Sequence, residues 1–284
     1  MLTKNEFSEL LSRGALLLDG ATGSNLQKMG MPRGCCTEEW ILNHPEAILD
    51  LQRRYAEAGS HIVYAPTFQA QPIPLANVQL DKQTETINAM LVALSKQAAP
   101  GLLVAGDLTT MATFIDSYDT ALFDTRVENY RRQIAGLLEG GADLLAAETL
   151  LYPQDAEAIL TAAELEGAQT VLYTFTMQPD GSLFSGMDAG KVLRELEDAG
   201  AAAVISRHTL SMAASFLFMF MLVMIGPSMN ETGRKGICSS YHVFAVCATG
   251  LRISLPYAYM TFIGAPFFHD FKNFYCFSSQ RHVC

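Results

Sequence analysis

Two acidic residues, each directly after a run of apolar residues, are the strongest indication of chemistry in this sequence. Asp19 follows Ala-Leu-Leu-Leu, and Glu148 follows Leu-Leu-Ala-Ala. Such a carboxylate either caps the next helix, pairs with a surface arginine, or lies at the edge of a ligand cavity. In a cavity, the two carboxylates would hold the ammonium group of a substrate, or would serve as a general acid and a general base.

The apolar runs before these acids belong to an alternation of strands and helices over residues 1–205. The runs are apolar throughout, which is typical of parallel strands that helices cover on both faces. The segments between them have apolar residues at helical spacing and often end in glycine. The pattern predicts strands at 15–21, 61–68, 102–108, 142–149, 170–177 and 201–206. It predicts helices at 46–59, 84–99, 125–141, 153–167 and 188–200.

A parallel sheet of this kind is either an open doubly wound sheet or a closed barrel. A doubly wound dinucleotide-binding sheet is expected to show Gly-x-Gly-x-x-Gly after a strand, and Asp-Gly-Ala-Thr-Gly-Ser-Asn after the first strand lacks the third glycine. Polar residues instead end most strands, as expected for a barrel whose site lies at the carboxyl ends; they are Asp19, Thr67, Asp107, Glu148 and Thr176. We therefore expect a (β/α)8 TIM barrel that is incomplete, with six recognisable βα units.

The overall composition excludes several classes of protein. Half of the 284 residues are hydrophobic and 17% are charged, which indicates a folded chain. A net charge of −10 disfavours a nucleic-acid partner, which would require a basic surface. The amino terminus carries charges throughout and is not a signal peptide, so we expect a cytoplasmic protein with reduced cysteines.

Four blocks of sequence resemble the homocysteine S-methyltransferase family, which includes the first module of cobalamin-dependent methionine synthase. They are LLLDGATGSNLQKMG, RGCCTEEWILNHPEAILDLQRRYAEAGSHIVYAPTFQA, LLVAGDL and GADLLAAETL. Within the second block, HPEAILDLQRRYAEAGSHIVYAPTF is particularly distinctive. Their order and spacing match the family over residues 14–205.

The resemblance implies a barrel that binds homocysteine at the carboxyl ends of its strands and converts it to methionine. Asp19 and Glu148 match the family acids that contact the amino-acid portion of homocysteine, and Thr67 and Phe68 match the loop wall after the second strand. The family holds Zn²⁺ with three cysteines, and the metal deprotonates the substrate thiol. The thiolate then takes a methyl group from a donor, and the sequence leaves the identity of that donor open.

The resemblance ends after the sixth strand. The first zinc cysteine of the family lies there in Gly-x-Asn-Cys, whereas this chain has Arg207 and His208. His208 is the candidate zinc ligand by position, because histidine also binds zinc. The family's adjacent cysteine pair after the eighth strand has no counterpart in 206–284; Cys35 and Cys36 are adjacent but follow the first strand. Zinc is therefore expected from the family, and this chain is expected not to bind it.

The change in composition at this point predicts two parts, 1–205 as the partial homocysteine-binding barrel and 206–284 as an aberrant hydrophobic tail. The net charge is −14 in the first part and +4 in the second. Residues 209–226 are uncharged and mostly apolar, so three hypotheses remain. The tail inserts into a membrane, it rebuilds the missing part of the barrel, or it is the product of a shifted reading frame. The chain is accordingly either a homocysteine S-methyltransferase domain or an inactive remnant without zinc.

Overall fold

The computed structural model describes residues 1–178, 180–208 and 223–224, with Ala203–His208 and Val223–Met224 described through their backbone. The strands are β1 Leu16–Leu17, β2 Ile62–Tyr64, β3 Leu103–Thr109, β4 Leu144–Leu150, β5 Val171–Met177, β6 Ala203–His208 and β7 Val223–Met224. The helices are α1 Lys4–Arg13, α2 Gly23–Lys28, α3 Thr37–Asn43, α4 Pro45–Glu57, α5 Pro72–Ala76, α6 Thr84–Ala98, α7 Phe123–Glu139, α8 Pro153–Glu166 and α9 Ala189–Asp198. Short 3-10 turns cover Asp81–Gln83 and Thr120–Leu122.

The order of the strands identifies the architecture. Strands β2 to β6 form one parallel sheet in the order of the chain, and Leu18 at the end of β1 bridges in parallel to Ile62 of β2. A doubly wound sheet reverses its strand order part-way, whereas a barrel adds each new strand on the same side. The described residues therefore contain six consecutive strands of a (β/α)8 barrel, and the predicted α/β barrel class is confirmed.

The six predicted strands and five predicted helices are present, with small shifts at their ends. The first two strands are exceptions, because they are limited to Leu16–Leu17 where 15–21 was predicted and to Ile62–Tyr64 where 61–68 was predicted. Helices α1, α2, α3 and α5 lie in segments for which the pattern predicted no element. Helix α1 begins with a capping box, in which the Thr3 hydroxyl accepts from the amide of Glu6 and the Glu6 carboxylate accepts from the amide of Thr3.

Helix α1 closes the amino-terminal end of the barrel. Its Phe7 and Leu11 are buried among the inward-facing residues of the strands; these are Leu16, Leu18, Ile62, Ala105, Leu144, Ala146 and Leu172. The segment before the helix is also fixed, since the amide of Leu2 donates to the carbonyl of Asp143 (2.7 Å) and the Thr170 hydroxyl donates to the carbonyl of Leu2 (2.8 Å). An apolar interior thus fills this end.

A second layer of core lies between the sheet and the surrounding helices. It contains outward-facing strand residues such as Val63, Val104 and Leu145, which pack against helix residues such as Ile134 and Ile159. Strands that are buried on both faces explain why the sequence runs were apolar without alternation. This layer holds the strands in register, so the residues at their carboxyl ends are placed by the core beneath them.

The short strand β7 pairs antiparallel with β1, with Leu16 opposite Met224 and Leu17 opposite Val223. A closed barrel would place a parallel strand beside its first strand. Apart from β7, the hypotheses for 209–226 and for the rest of the tail fall outside the described residues. Within the described part, no helix combines the length and apolar character that crossing a bilayer requires.

Candidate active site

Inward-facing positions change from apolar to acidic at the carboxyl ends of the strands. In β3 the inward series runs Leu103, Ala105, Asp107, and in β4 it runs Leu144, Ala146, Glu148. Because side chains alternate along a strand, the acids continue the row that fills the barrel interior. With Asp19 after β1 and Glu38 from α3, they form what we call the acid cluster: Asp19, Glu38, Asp107 and Glu148.

Asp19 is the most constrained member of the acid cluster. It is 3% exposed, and its Oδ1 accepts a hydrogen bond from the backbone amide of Tyr64 (3.2 Å). Its Oδ2 is buried and has no hydrogen-bond partner within the described residues. Burial raises the pKa of Asp19 well above its usual value, and the charge of Glu148 raises it further. The fold therefore buries a carboxyl oxygen for which the described residues supply no hydrogen-bond donor.

Asp107 is a second buried acid with an unsatisfied oxygen. It is 5% exposed, and across the part of the chain that is described its Oδ1 contacts no donor. Its pKa is raised well above the usual value by burial and by the charges of Glu148, Asp19 and Glu38. Thr67 fixes the backbone of Asp107 through two hydrogen bonds. The amide of Asp107 donates to the Thr67 hydroxyl (3.0 Å), and this hydroxyl donates to the carbonyl of Asp107 (2.9 Å).

Gln133 of α7, in the outer layer of the core, also holds the backbone of Thr67 and Asp107. Its side-chain amide donates to the carbonyl of Thr67 (2.6 Å) and to the carbonyl of Asp107 (3.2 Å). Thr67 itself is fully buried. The backbone of Asp107 is therefore held by the side chains of Thr67 and Gln133.

Glu38 connects the loop after β1 to the same site. It is 3% exposed, its Oε1 accepts from the amide of Gln69 (2.9 Å), and its Oε2 accepts from the Cys36 thiol (3.5 Å). Burial raises the pKa of the Cys36 thiol to about 11, and the charge of Glu38 adds to the increase. Cys36 is thus a protonated hydrogen-bond donor at neutral pH and a poor source of thiolate.

Tyr55 of α4 lies beside the first acid. Its hydroxyl donates to the carbonyl of Ala21 (3.0 Å) and accepts from the side chain of Asn25 (3.1 Å). A Cβ atom at Gly20 would lie 2.9 Å from that hydroxyl, so any larger residue there would require Tyr55 to move. Burial and the charge of Asp19 raise the pKa of Tyr55 to about 12. These contacts fix the turn that follows Asp19.

The structure brings together some of the predicted site residues. Asp19 and Glu148 are close enough for the charge of one to affect the other. Thr67 lies behind Asp107, and Phe68 is half-buried in the turn after it. The backbone of His208 ends β6, and its side chain falls outside the described part.

Sequence reasoning missed three residues of this site, which are Glu38, Tyr55 and Asp107 as a binding candidate. Asp107 carried a signal, because it stands at a strand end like Asp19 and Glu148.

Comparisons with known proteins identify the family. Residues 16–208 match the sequence profile of the family described as homocysteine S-methyltransferase. The chain belongs to this family. It is 28% identical over 210 residues to betaine–homocysteine S-methyltransferase 1 of Sus scrofa, which covers 71% of this chain and 73% of that enzyme. The Rattus norvegicus enzyme of the same name is also 28% identical, and there the match spans 50% of its length.

Solved structures of the family agree with the fold. The metallated form of the homocysteine methyltransferase MmuM from Escherichia coli matches with a TM-score of 0.60 and 25% identity, over 70% of this chain and 76% of that one. Its apo form matches with a TM-score of 0.54 at 24% identity, which supports the barrel fold alone.

The described residues do not fit the zinc that the family implies. Within the described part of the chain, no three histidine, cysteine or acidic side chains are grouped so that they could hold a metal ion. Cys35 is exposed and donates to the carbonyl of Pro32, while Cys36 is engaged by Glu38.

Proposed function

We propose that this chain is the homocysteine-binding module of an S-methyltransferase and that the acid cluster holds the amino group of homocysteine. The observation that carries the proposal is the buried, unsatisfied Oδ2 of Asp19, for which the described residues offer no donor. A buried polar atom without a partner costs about 1–3 kcal/mol, and a charged one costs more. A substrate ammonium group would supply both the missing donor and the opposite charge.

The ammonium group fits the electrostatics of the cluster as well as its hydrogen bonding. Asp19 and Asp107 are each buried, and their pKa values are raised by burial first and then by like charges. Placing a cation between Asp19 and Glu148 reverses the unfavourable interaction, because each carboxylate then faces an opposite charge. Homocysteine binding should therefore lower the pKa of Asp19.

The chemistry that follows binding is a displacement at a methyl carbon. The sulfur of homocysteine forms a bond to the methyl carbon, the bond from that carbon to the donor breaks, and the thiol proton is lost to give methionine. A free thiol has a pKa of about 8.5, so the step is faster when the site favours the thiolate. Zinc would supply that activation in the family, but the described residues do not fit the metal.

Calorimetric titration of the full-length protein with L-homocysteine tests the proposal. Asp19→Asn should weaken binding by about tenfold or more, because a hydrogen bond between charged groups contributes about 1.5–3 kcal/mol. Asp50→Asn is the matched control, since Asp50 lies on the surface of α4 in an ion pair with Arg54. The proposal is wrong if the wild-type protein does not bind homocysteine or if Asp19→Asn binds it as tightly as wild type.

A second candidate is a module that binds homocysteine without transferring a methyl group. The absence of a three-residue metal group from the described residues, and Arg207-His208 in place of Gly-x-Asn-Cys, favour this candidate. The zinc content of the purified protein separates the two. About one equivalent per chain supports the transferase, and none supports the binding module.

A further inference from the structure

The strand that carries Glu148 is irregular at that residue. In the pairing of β4 with β5, Ala147 lies opposite Tyr173, but Leu150 lies opposite Phe175. Strand β4 therefore has one more residue than β5 in this interval, which is a β-bulge. Ala147 and Leu150 both face the outer layer of core, and a regular strand would turn Leu150 inward. Glu148 faces the interior in phase with Ala146, and the bulge directly after it keeps Leu150 buried outside.

The extra residue, Thr149, has a backbone conformation that threonine rarely adopts. Its φ is +56°, in the left-handed region that disfavours β-branched side chains. Such a conformation persists only where surrounding contacts determine it. The groups around Thr149 must therefore hold its backbone in this conformation.

Three threonines supply those contacts. The backbone amide of Thr149 donates to the Thr174 hydroxyl of β5 (2.9 Å). The Glu148 carbonyl accepts from the hydroxyl of Thr149 (2.7 Å) and from the hydroxyl of Thr109 in β3 (3.1 Å). Thr109 and Thr174 are buried, so these bonds are shielded from water. We call Thr109, Thr149 and Thr174 the hydroxyl clamp.

We propose that the hydroxyl clamp is the positioning device for Glu148: it fixes the peptide group directly after Glu148, and so holds the inward-facing carboxylate in place beside Asp19 and Asp107. The clamp contacts the carbonyl of Glu148 and the amide of Thr149, which belong to one peptide group. It draws one residue from each of three neighbouring strands, so it ties the direction of Glu148 to the frame of the barrel. The role in substrate binding rests on the proposed function, whereas the positioning itself does not.

The clamp can be tested without any ligand, because the charge of Glu148 raises the pKa of Asp19. Carboxyl ¹³C chemical shifts of the full-length protein report that pKa across a pH titration. In Thr174→Val, which keeps the shape and removes the acceptor, Glu148 should move and the pKa of Asp19 should fall. The other charges near Asp19 and Asp107 come from Glu38 of α3, and Thr174→Val leaves its contacts with Gln69 and Cys36 in place.

Conservative variants distinguish positioning from general support of the fold. Thr174→Ser keeps the hydroxyl and should restore the wild-type pKa of Asp19, and Thr109→Val should lower it as Thr174→Val does. Thr161→Val is the control, since the Thr161 hydroxyl bonds to the carbonyl of Glu157 on the surface of α8. If Thr174→Val fails to fold, Thr109→Val decides the question.

Homocysteine titration provides the second measurement. Thr174→Val should bind homocysteine about fivefold to tenfold more weakly, the effect of one lost hydrogen bond, and Thr174→Ser should bind it as wild type does. A folded Thr174→Val or Thr109→Val with an unchanged pKa of Asp19 would overturn the clamp. A wild-type protein that binds no homocysteine would overturn the proposed function instead, while the pKa measurement would still decide the clamp.

Discussion

The two ends of the barrel are built from the same strands, but one end buries apolar side chains and the other buries acidic ones. At the amino-terminal end, Phe7 and Leu11 of α1 fill the interior with apolar groups. At the carboxyl-terminal end, the same inward rows reach Asp107 and Glu148, and Asp19 joins them. Moving along β3 from Leu103 to Asp107 changes the interior from a hydrophobic core to a site with unsatisfied carboxylate oxygens.

This contrast shows where the fold gains stability and where it gives some up. Burial of apolar surface at one end contributes favourably, at about 25 cal/mol per Å². Burial of acids near one another at the other end opposes folding, because each carboxylate loses hydration and faces like charges. The acid cluster is therefore a feature that stability alone does not explain, which is what a binding site requires.

The largest effect is expected from the apolar end. Phe7→Ala should lower the free energy of unfolding by about 3–5 kcal/mol, because it empties a buried position in the barrel interior. The affinity of the folded protein for homocysteine should stay unchanged. Urea denaturation and calorimetric titration measure the two quantities, and a large loss of affinity would show that the two ends are not separate in function.

The next effect concerns binding at the acidic end. Glu148→Gln should weaken homocysteine binding by about 10- to 100-fold, since a charged hydrogen bond contributes about 1.5–3 kcal/mol. The amide is nearly the same size, so the unfolding curve should change little. Equal affinity for homocysteine in the variant and in wild type would remove Glu148 from the binding site.

The third prediction is a substitution that increases stability, whereas most substitutions decrease it. The raised pKa of Asp107 means that its contribution to stability is present below the unfolded-state pKa and is lost as pH rises toward the folded-state pKa. Asp107→Asn removes that loss, so the variant should be more stable than wild type at pH 8, by about 1–3 kcal/mol.

The gain should shrink as the pH falls toward 4, because Asp107 stays protonated in the folded wild-type protein there and an unfolded-state aspartate is only about half ionised. Urea midpoints at pH 4, 6 and 8 measure the trend. A variant that is less stable than wild type at pH 8 would contradict the view that these acids oppose folding.

The smallest effect returns to the apolar end. Thr3→Ala breaks the capping box of α1 and should cost about 1 kcal/mol. The helix would still cover the barrel, so homocysteine affinity should not change. Urea denaturation detects a loss of this size, and Arg13→Ala serves as a control because the Arg13–Glu9 pair is exposed and contributes little.

Much of the frame was predictable from sequence because the strands lie between two apolar layers. A run such as Leu-Leu-Val-Ala at 102–105 is apolar in every position, and that pattern identifies both the strand and its parallel neighbours. The acids at the strand ends were visible for the same reason, since they interrupt the runs. Strand β1 was predicted too long because Asp19 ends its pairing and turns to the amide of Tyr64.

Other parts of the site depend on contacts between distant segments, which sequence patterns do not report. Glu38 lies in α3, and its burial depends on the loop after β2, which supplies the amide of Gln69. The bulge at Thr149 depends on hydroxyls from two other strands. Asp107 was visible at its strand end, but its role follows only from its position between Asp19 and Glu148.

The way α1 is fastened has a consequence for synthesis on the ribosome. Leu2 is among the first residues made, yet it is held by Thr170, which lies 168 positions further along the chain. At 5–20 residues per second, roughly ten to thirty seconds separate the two. Phe7 and Leu11 have no barrel to enter during that interval, so the nascent helix presents an apolar face that chaperones can recognise.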